Sequence, residues 1–236
     1  MLHHHPHWYG VQSLHLPLLA SHCQAATWHD LPMPFHLERP KHPSNIQPLN
    51  TTSNVYISQQ LRKKSIAEYI LYMWQVEDII RVYECSLSRI RREYISQFDY
   101  TDEQKEEMVD WYGNLIRMMN EEGKRQGGHL QINQVIVTDL IDLHRRLLQS
   151  TKFPFYSAQY YKVLPFIVEL RRKGEHEEDE IQVCLNALYG VMLLRLQHKD
   201  ISPDTTHAIQ EITTFIGMLS DYYIKDRNEG LQFEED

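Results

Sequence analysis

Residues 66–83 (IAEYILYMWQVEDIIRVY) constrain the fold most, because they carry apolar side chains on almost every side of a helix. At about 100° per residue, Tyr69, Tyr72, Met73, Val76, Ile79, Ile80 and Tyr83 form one continuous apolar face. The opposite side begins apolar, through Ile66, Ile70, Leu71 and Trp74, and then turns to Glu77, Asp78 and Arg81. A helix that is apolar all round must be wrapped by others, since any bare side would leave large apolar area in water. The chain is therefore expected to build a helical core around this segment, with three charges embedded late in its length.

A second stretch of the same kind, residues 181–196 (IQVCLNALYGVMLLRL), is interrupted only by Gln182, Asn186 and Arg195, and Gly190 permits close approach by a neighbour. Start and stop signals organise the rest. Ser58 is expected to cap a helix running to about Glu84, and a short helix near 87–97 carries Arg89, Arg91 and Arg92. Thr101 and Gln104 read as a reciprocal capping box opening the next helix, with Gly123 as its stop. Gly127 and Gly128 break the chain before a helix at 132–149, where His144 falls among Ile136, Val137, Leu140, Leu147 and Leu148. Pro154 opens another helix, which Pro165 should kink or split because proline removes a backbone donor. The acidic run 174–180 (GEHEEDE) reads as a solvated loop and helix start, and Ser202-Pro203 opens the last helix, with Ile209, Ile212, Ile216, Leu219 and Tyr223 as its seam. No stretch reads as a strand and no repeat emerges. The expected fold is all-α: a single-domain bundle of six or seven helices over 55–228 with two largely buried central helices, followed by an acidic tail at 229–236.

Residues 1–54 differ in kind. They hold nine of the fourteen His and seven of the ten Pro but only four charged residues, without helical or strand periodicity, so a disordered leader is expected. No Lys or Arg precedes the short apolar run at Ser13–Cys23, and Pro17 interrupts it, which argues against a signal peptide. The abrupt change at Val55, a residue a GTG codon would encode, fits translated upstream sequence with the true start near that point. From Val55 onward the chain has 22 basic and 30 acidic residues and carries the whole net charge of −8. That balance repels phosphate backbones, so nucleic acid is not an expected partner, and the basic clusters at 62–64, 89–92 and 171–173 read as solvated helix ends or faces. No run approaches the roughly 18 apolar residues of a membrane span. Cys23, Cys85 and Cys184 form no metal or disulfide spacing and point to a reducing, cytoplasmic setting, with Cys85 and Cys184 as small buried hydrophobes.

Phosphate-cradling, dinucleotide, zinc-protease and nucleophile-elbow motifs are absent, as are the paired Glu-x-x-His motifs of two-metal bundles. What remains is a set of polar residues on apolar faces: Glu77, Asp78, Arg81, His144, Glu169, Asn186 and Arg195. Glu77 and Arg81, four apart, can meet on one helix face, and charges inside a bundle are costly unless paired. The cluster reads as an ion-pair network fixing helix register, with a ligand pocket or a metal or catalytic site as the other uses of the same groups. No spacing demands a metal, and neither catalytic residues nor cofactors are assigned. The aromatics, among them Tyr69, Tyr72, Trp74, Trp111, Tyr160, Tyr161 and Tyr189, fall at core spacing.

Four long segments, YISQQLRKKSIAEYILYMWQVEDIIR, GHLQINQVIVTDLIDLH, YYKVLPFIVELR and NALYGVMLLRLQHKDISPDT, resemble a bacterial family known only as a domain of unknown function, number 4924 in that series. The resemblance covers about residues 56–234 and implies a bacterial, cytoplasmic, helical protein, while bringing no activity, ligand or catalytic residue. The functional expectation is a non-enzymatic module for protein interaction or self-association, with a homo-oligomer or a protein as partner. The alternative is a small-molecule-binding or hydrolytic bundle using the carboxylate and His cluster.

Overall fold

The computed structural model describes residues 54–173 and 178–233, and every regular element among them is helical. The α-helices are α1 (Asn54–Lys64), α2 (Ile66–Val82), α3 (Leu87–Arg89), α4 (Asp102–Glu121), α5 (Gln131–Gln149), α6 (Pro154–Lys173), α7 (Glu180–Leu196) and α8 (Pro203–Glu229). The all-α class holds, with eight helices in place of six or seven. One addition comes from a break at Ser65 in the first expected helix. There the Ser220 hydroxyl meets the Ser65 hydroxyl at 3.3 Å and accepts from the Ala67 amide at 3.4 Å, serving an orphan donor in the first turn of α2. A cap supplied from 153 residues away leaves no local signal. Ser58 does not cap: it lies inside α1 and donates back to the Val55 carbonyl at 2.7 Å. The expected helix near 87–97 is likewise irregular, since α3 runs on through a π turn (Ile90–Tyr94) and a 3-10 turn (Ile95–Gln97).

These residues form two compact units. One comprises α1, α2 from Glu68 onward, α3, α4 and the chain to Gln134. Its core includes Ile70, Trp74, Ile80, Ile90, Met108, Tyr112 and Met119, all at most 1 % exposed, with Tyr94 edge-on to Tyr112 at 5.8 Å. The other comprises residues 65–67 and 135–233, in which α6, α7 and α8 pack pairwise around Tyr156, Ile167, Cys184, Leu185, Ile212 and Phe215. Both expected buried helices are present: no residue of α2 is exposed, and in α7 Arg195 alone is.

Local chemistry sets the helix ends much as the sequence implies. Thr101 accepts from the Gln104 amide at 3.3 Å while Gln104 accepts from the Thr101 amide at 2.9 Å, completing the capping box of α4. Gly123, at φ 67°, stops that helix as the Lys124 amide reaches back to the Met119 carbonyl at 2.7 Å. Ser202 caps α8, with Pro203 at its first position. The end of α2 carries no such signal, because two non-glycine residues, Glu84 and Cys85, take φ of 57° and 55° to return the Cys85 amide to the Ile80 carbonyl at 2.9 Å. Pro165 does not split α6, which stays helical from Pro154 to Lys173. Its missing donor would have bonded the carbonyl of Tyr161, and both residues lie on the solvent side, where a carbonyl without a helical donor costs little. The leader at 1–53, most of the acidic run 174–180 and residues 234–236 lie outside the described residues.

Candidate functional site

Glu77, near the end of buried α2, has no exposed surface, and every acceptor it offers is engaged. Its Oε1 accepts from the Leu130 amide at 3.1 Å and from Asn133 Nδ2 at 2.6 Å; its Oε2 lies 2.7 Å from His129 Nδ1 and 3.9 Å from the Arg81 guanidinium. Arg81, one turn on, donates to Asp78 at 2.7 Å, to the Lys124 carbonyl at 3.1 Å and to the Gly128 carbonyl. The His129 ring stacks on Trp74, with centroids 4.1 Å apart and planes 15° off parallel.

This arrangement fastens a turn. The chain between α4 and α5 bends through Gly123 and Gly128, both at positive φ, and has no regular partner for its backbone. Arg81 takes two of its carbonyls and Glu77 takes the Leu130 amide, while Glu122 takes the Gln131 amide at 2.7 Å. Two carboxylates therefore occupy the positive end of α5, where charge-assisted bonds to orphan amides are favourable. Because Glu77 fixes the Asn133 amide with its donor inward, Asn133 Oδ1 is left buried without a hydrogen-bond partner among the described residues.

His144 belongs to the second unit. It is 4 % exposed, with Nδ1 2.7 Å from the Tyr156 hydroxyl and Nε2 3.6 Å from Glu180, inside a cage of Tyr156, Tyr160 and Phe215 rings. Burial holds the imidazole below its ordinary pKa, opposed by Glu180, so it favours the neutral form. Burial also raises the Tyr156 phenol and the Cys184 thiol far above their usual ranges, and burial, with Glu180 alongside, pushes Tyr160 up to about 12. Neither the two phenols nor the thiol is ionised at neutral pH.

The seven residues expected together thus divide between the units, Glu77, Asp78 and Arg81 in one and His144, Glu169, Asn186 and Arg195 in the other. Glu77 and Arg81 are buried as expected, and Asp78 is half-buried against Arg81. Glu169 is half-buried on α6, and Asn186 bonds Glu178 and Gln182, each at 2.9 Å. Arg195 corrects the expectation of burial: it is exposed, because it falls in the last turn of α7, where the helix reaches solvent. His129, Asn133, Tyr156 and Glu180 were not read from the sequence as members. The one signal available for His129 was its place straight after two glycines at a helix start. No group of three or more His, Cys, Asp or Glu among the described residues is placed to hold a metal ion.

A different surface stands out on α6. Phe155 is 81 % exposed, Tyr161 67 % and Val168 48 %, and Ala158 and Pro165 are exposed beside them. Tyr161 at core spacing was therefore misplaced: it sits one position beyond Tyr160, a rotation of about 100° that carries it into solvent. The Arg89–Arg92 run, by contrast, is occupied, with Arg89 paired to Glu84 and Glu93, Arg91 to Glu106 and Arg92 to Glu93.

Fold and site together define an all-helical protein in which embedded charges act as internal fasteners and the outward face of one helix is left apolar. The chain belongs to the family described as Domain of unknown function (DUF4924), whose model matches residues 55–230. No curated protein and no solved structure matches the chain. No helix among the described residues is long and apolar enough to cross a membrane.

Proposed function

We propose that this chain is a non-enzymatic helical module that acts by docking a protein partner or another copy of itself through the outward face of α6. The exposed stripe of Ala158, Tyr161, Pro165 and Val168, with exposed Phe155 at the start of the same helix, carries the proposal. The largest exposed apolar patch of a protein often marks an interaction site, and a proline-bearing helix face with a large aromatic resembles the core of an interface more than a solvated surface. The carboxylate and His cluster favours this reading over hydrolysis or ligand binding, since the oxygens of Glu77 are all occupied and His144 is enclosed by aromatic rings. Buried Cys85 and Cys184, both free thiols, support a reducing, cytoplasmic setting.

The test is the size of the tagged chain in an extract of its native cell at natural abundance. A complex well above 28.2 kDa, collapsing to monomer in the Tyr161→Glu/Val168→Glu variant, is the expected result. A monomer in the unaltered extract would sink the proposal.

A further inference from the structure

We infer that the notch holding Phe233 is a peptide-binding site that the segment after α8 fills as a built-in ligand. From another protein it takes a segment of the same chemistry, an aromatic residue followed by acidic ones. The site uses none of the residues of the α6 stripe and does not depend on that reading. Helix α8 ends at Glu229, and Gly230, at φ 77°, turns the chain so that the Leu231 amide reaches back to Asp226 at 2.9 Å. Beyond the turn Gln232 faces water, while Phe233 is half-buried. Its ring centroid lies 4.0 Å from the guanidinium carbon of Arg146 and 5.4 Å from the Phe153 ring, and its carbonyl accepts from the Ser150 hydroxyl at 3.2 Å. A ring in a pocket and a main-chain group on a hydrogen bond are how a groove recognises an extended peptide.

The receiving residues are held in place without Phe233. Arg146 donates to Asp226 at 3.2 Å, Ser150 also accepts from the Lys152 amide at 3.2 Å, and Phe153 lies edge-on to Tyr222 at 5.3 Å. The Phe153 carbonyl in turn accepts from the Ser157 amide at 3.1 Å, at the start of α6. Lifting the segment away therefore leaves a formed site, and a formed site loses little to reorganisation when it binds. The segment itself is held lightly, by one ring over a half-exposed guanidinium, one ring contact and one hydrogen bond, on a glycine turn. A short tether gives it a local concentration on the order of mM, so it excludes dilute outside peptide but yields to a partner that makes further contacts. The chemistry of that partner follows from the site. A guanidinium over a ring selects an aromatic residue. Exposed Lys152 beside Ser150 suits acids on the peptide, and the chain's own sequence after Phe233 is Glu234, Glu235 and Asp236.

The probe is a fluorescein-labelled peptide of residues 230–236 (GLQFEED), titrated by anisotropy into full-length chains. Phe233→Ser vacates the site and should bind the peptide saturably, roughly tenfold more tightly than the parent, whose own segment competes. Adding Arg146→Gln should weaken that binding severalfold, as should serine in place of the peptide's phenylalanine. Phe233→Leu keeps an apolar side chain, opens the site more gently and should fall between parent and Phe233→Ser; it carries the test if Phe233→Ser melts far below the parent. No saturable binding to a folded variant up to about 1 mM overturns the site. Equal binding by parent and variants, or binding that Arg146→Gln leaves unchanged, puts the peptide elsewhere and overturns it too. A peptide with its three acids replaced by amides that binds as well overturns the acidic part of the partner's chemistry.

Discussion

Replacing Glu77 with Gln keeps the shape of the side chain but turns one acceptor oxygen into a donor. That donor faces either the Leu130 amide and Asn133 Nδ2, both of which already donate to this point, or the positive Arg81 and His129 Nδ1, which must then turn acceptor by changing tautomer. Arg81 keeps Asp78 at 2.7 Å, but the buried donors around position 77 lose a charged acceptor, so Glu77→Gln should destabilise the fold by about 2 kcal/mol, read as a drop in urea midpoint at unchanged slope. A change under about 0.5 kcal/mol would show that the turn at 122–130 is held by something else. Glu68, also on α2, makes a different prediction. Burial raises its carboxyl from 4.5 to about 7, so the folded state binds that proton more tightly than the unfolded chain does. Its contribution to stability is complete below pH 4.5 and is lost as pH rises through 7. Glu68→Gln, neutral throughout, should match the parent at pH 4 and melt higher than it at pH 8; parallel melting profiles across that window would contradict the burial of this carboxyl.

Among the elements, the stop of α4 offers a controlled comparison. A Cβ at Gly123 or at Gly127 would meet no atom within 4 Å, but only Gly123 has a left-handed backbone, at φ 67°. Gly123→Ala should therefore cost about 1 kcal/mol from backbone strain alone, while Gly127→Ala should be neutral or stabilising through a less flexible unfolded chain. Equal effects in thermal melts would mean the turn is not held in this conformation. The same turn shows which element boundaries could be read in advance. Thr101, Gly123 and Ser202-Pro203 act on their own neighbours within four residues, so their roles are visible in the string of letters. The break at Ser65 and the start of α5 depend on Ser220 and Glu77, which reach them only after folding.

Among the described residues, the polar groups buried on α2 and those around His144 share no hydrogen-bond partner. Their losses should then add. The Glu77→Gln/His144→Leu double variant is expected to lose the sum of the single losses within about 0.5 kcal/mol in denaturant titrations. His144→Leu by itself costs about 1–3 kcal/mol, since it strands the Tyr156 hydroxyl in a fully buried place. A coupling well above that margin would reveal one connected network in place of two.

The helical class, the two buried helices and the seam of α8 were determined by the sequence alone, because each follows from apolar periodicity that local geometry converts directly into faces. Glu77 and Arg81 could likewise be found as charges that must be paired, since nothing else tolerates them in so apolar a helix. Their partners could not. His129 and Asn133 stand 52 and 56 residues from Glu77, and whether a polar group is satisfied depends on what packing brings to it. Tertiary structure also decided the outward face of α6: its aromatics and prolines look like core in a list of residues, and only the placement of α7 and α8 against the other side leaves Tyr161 and Val168 in water.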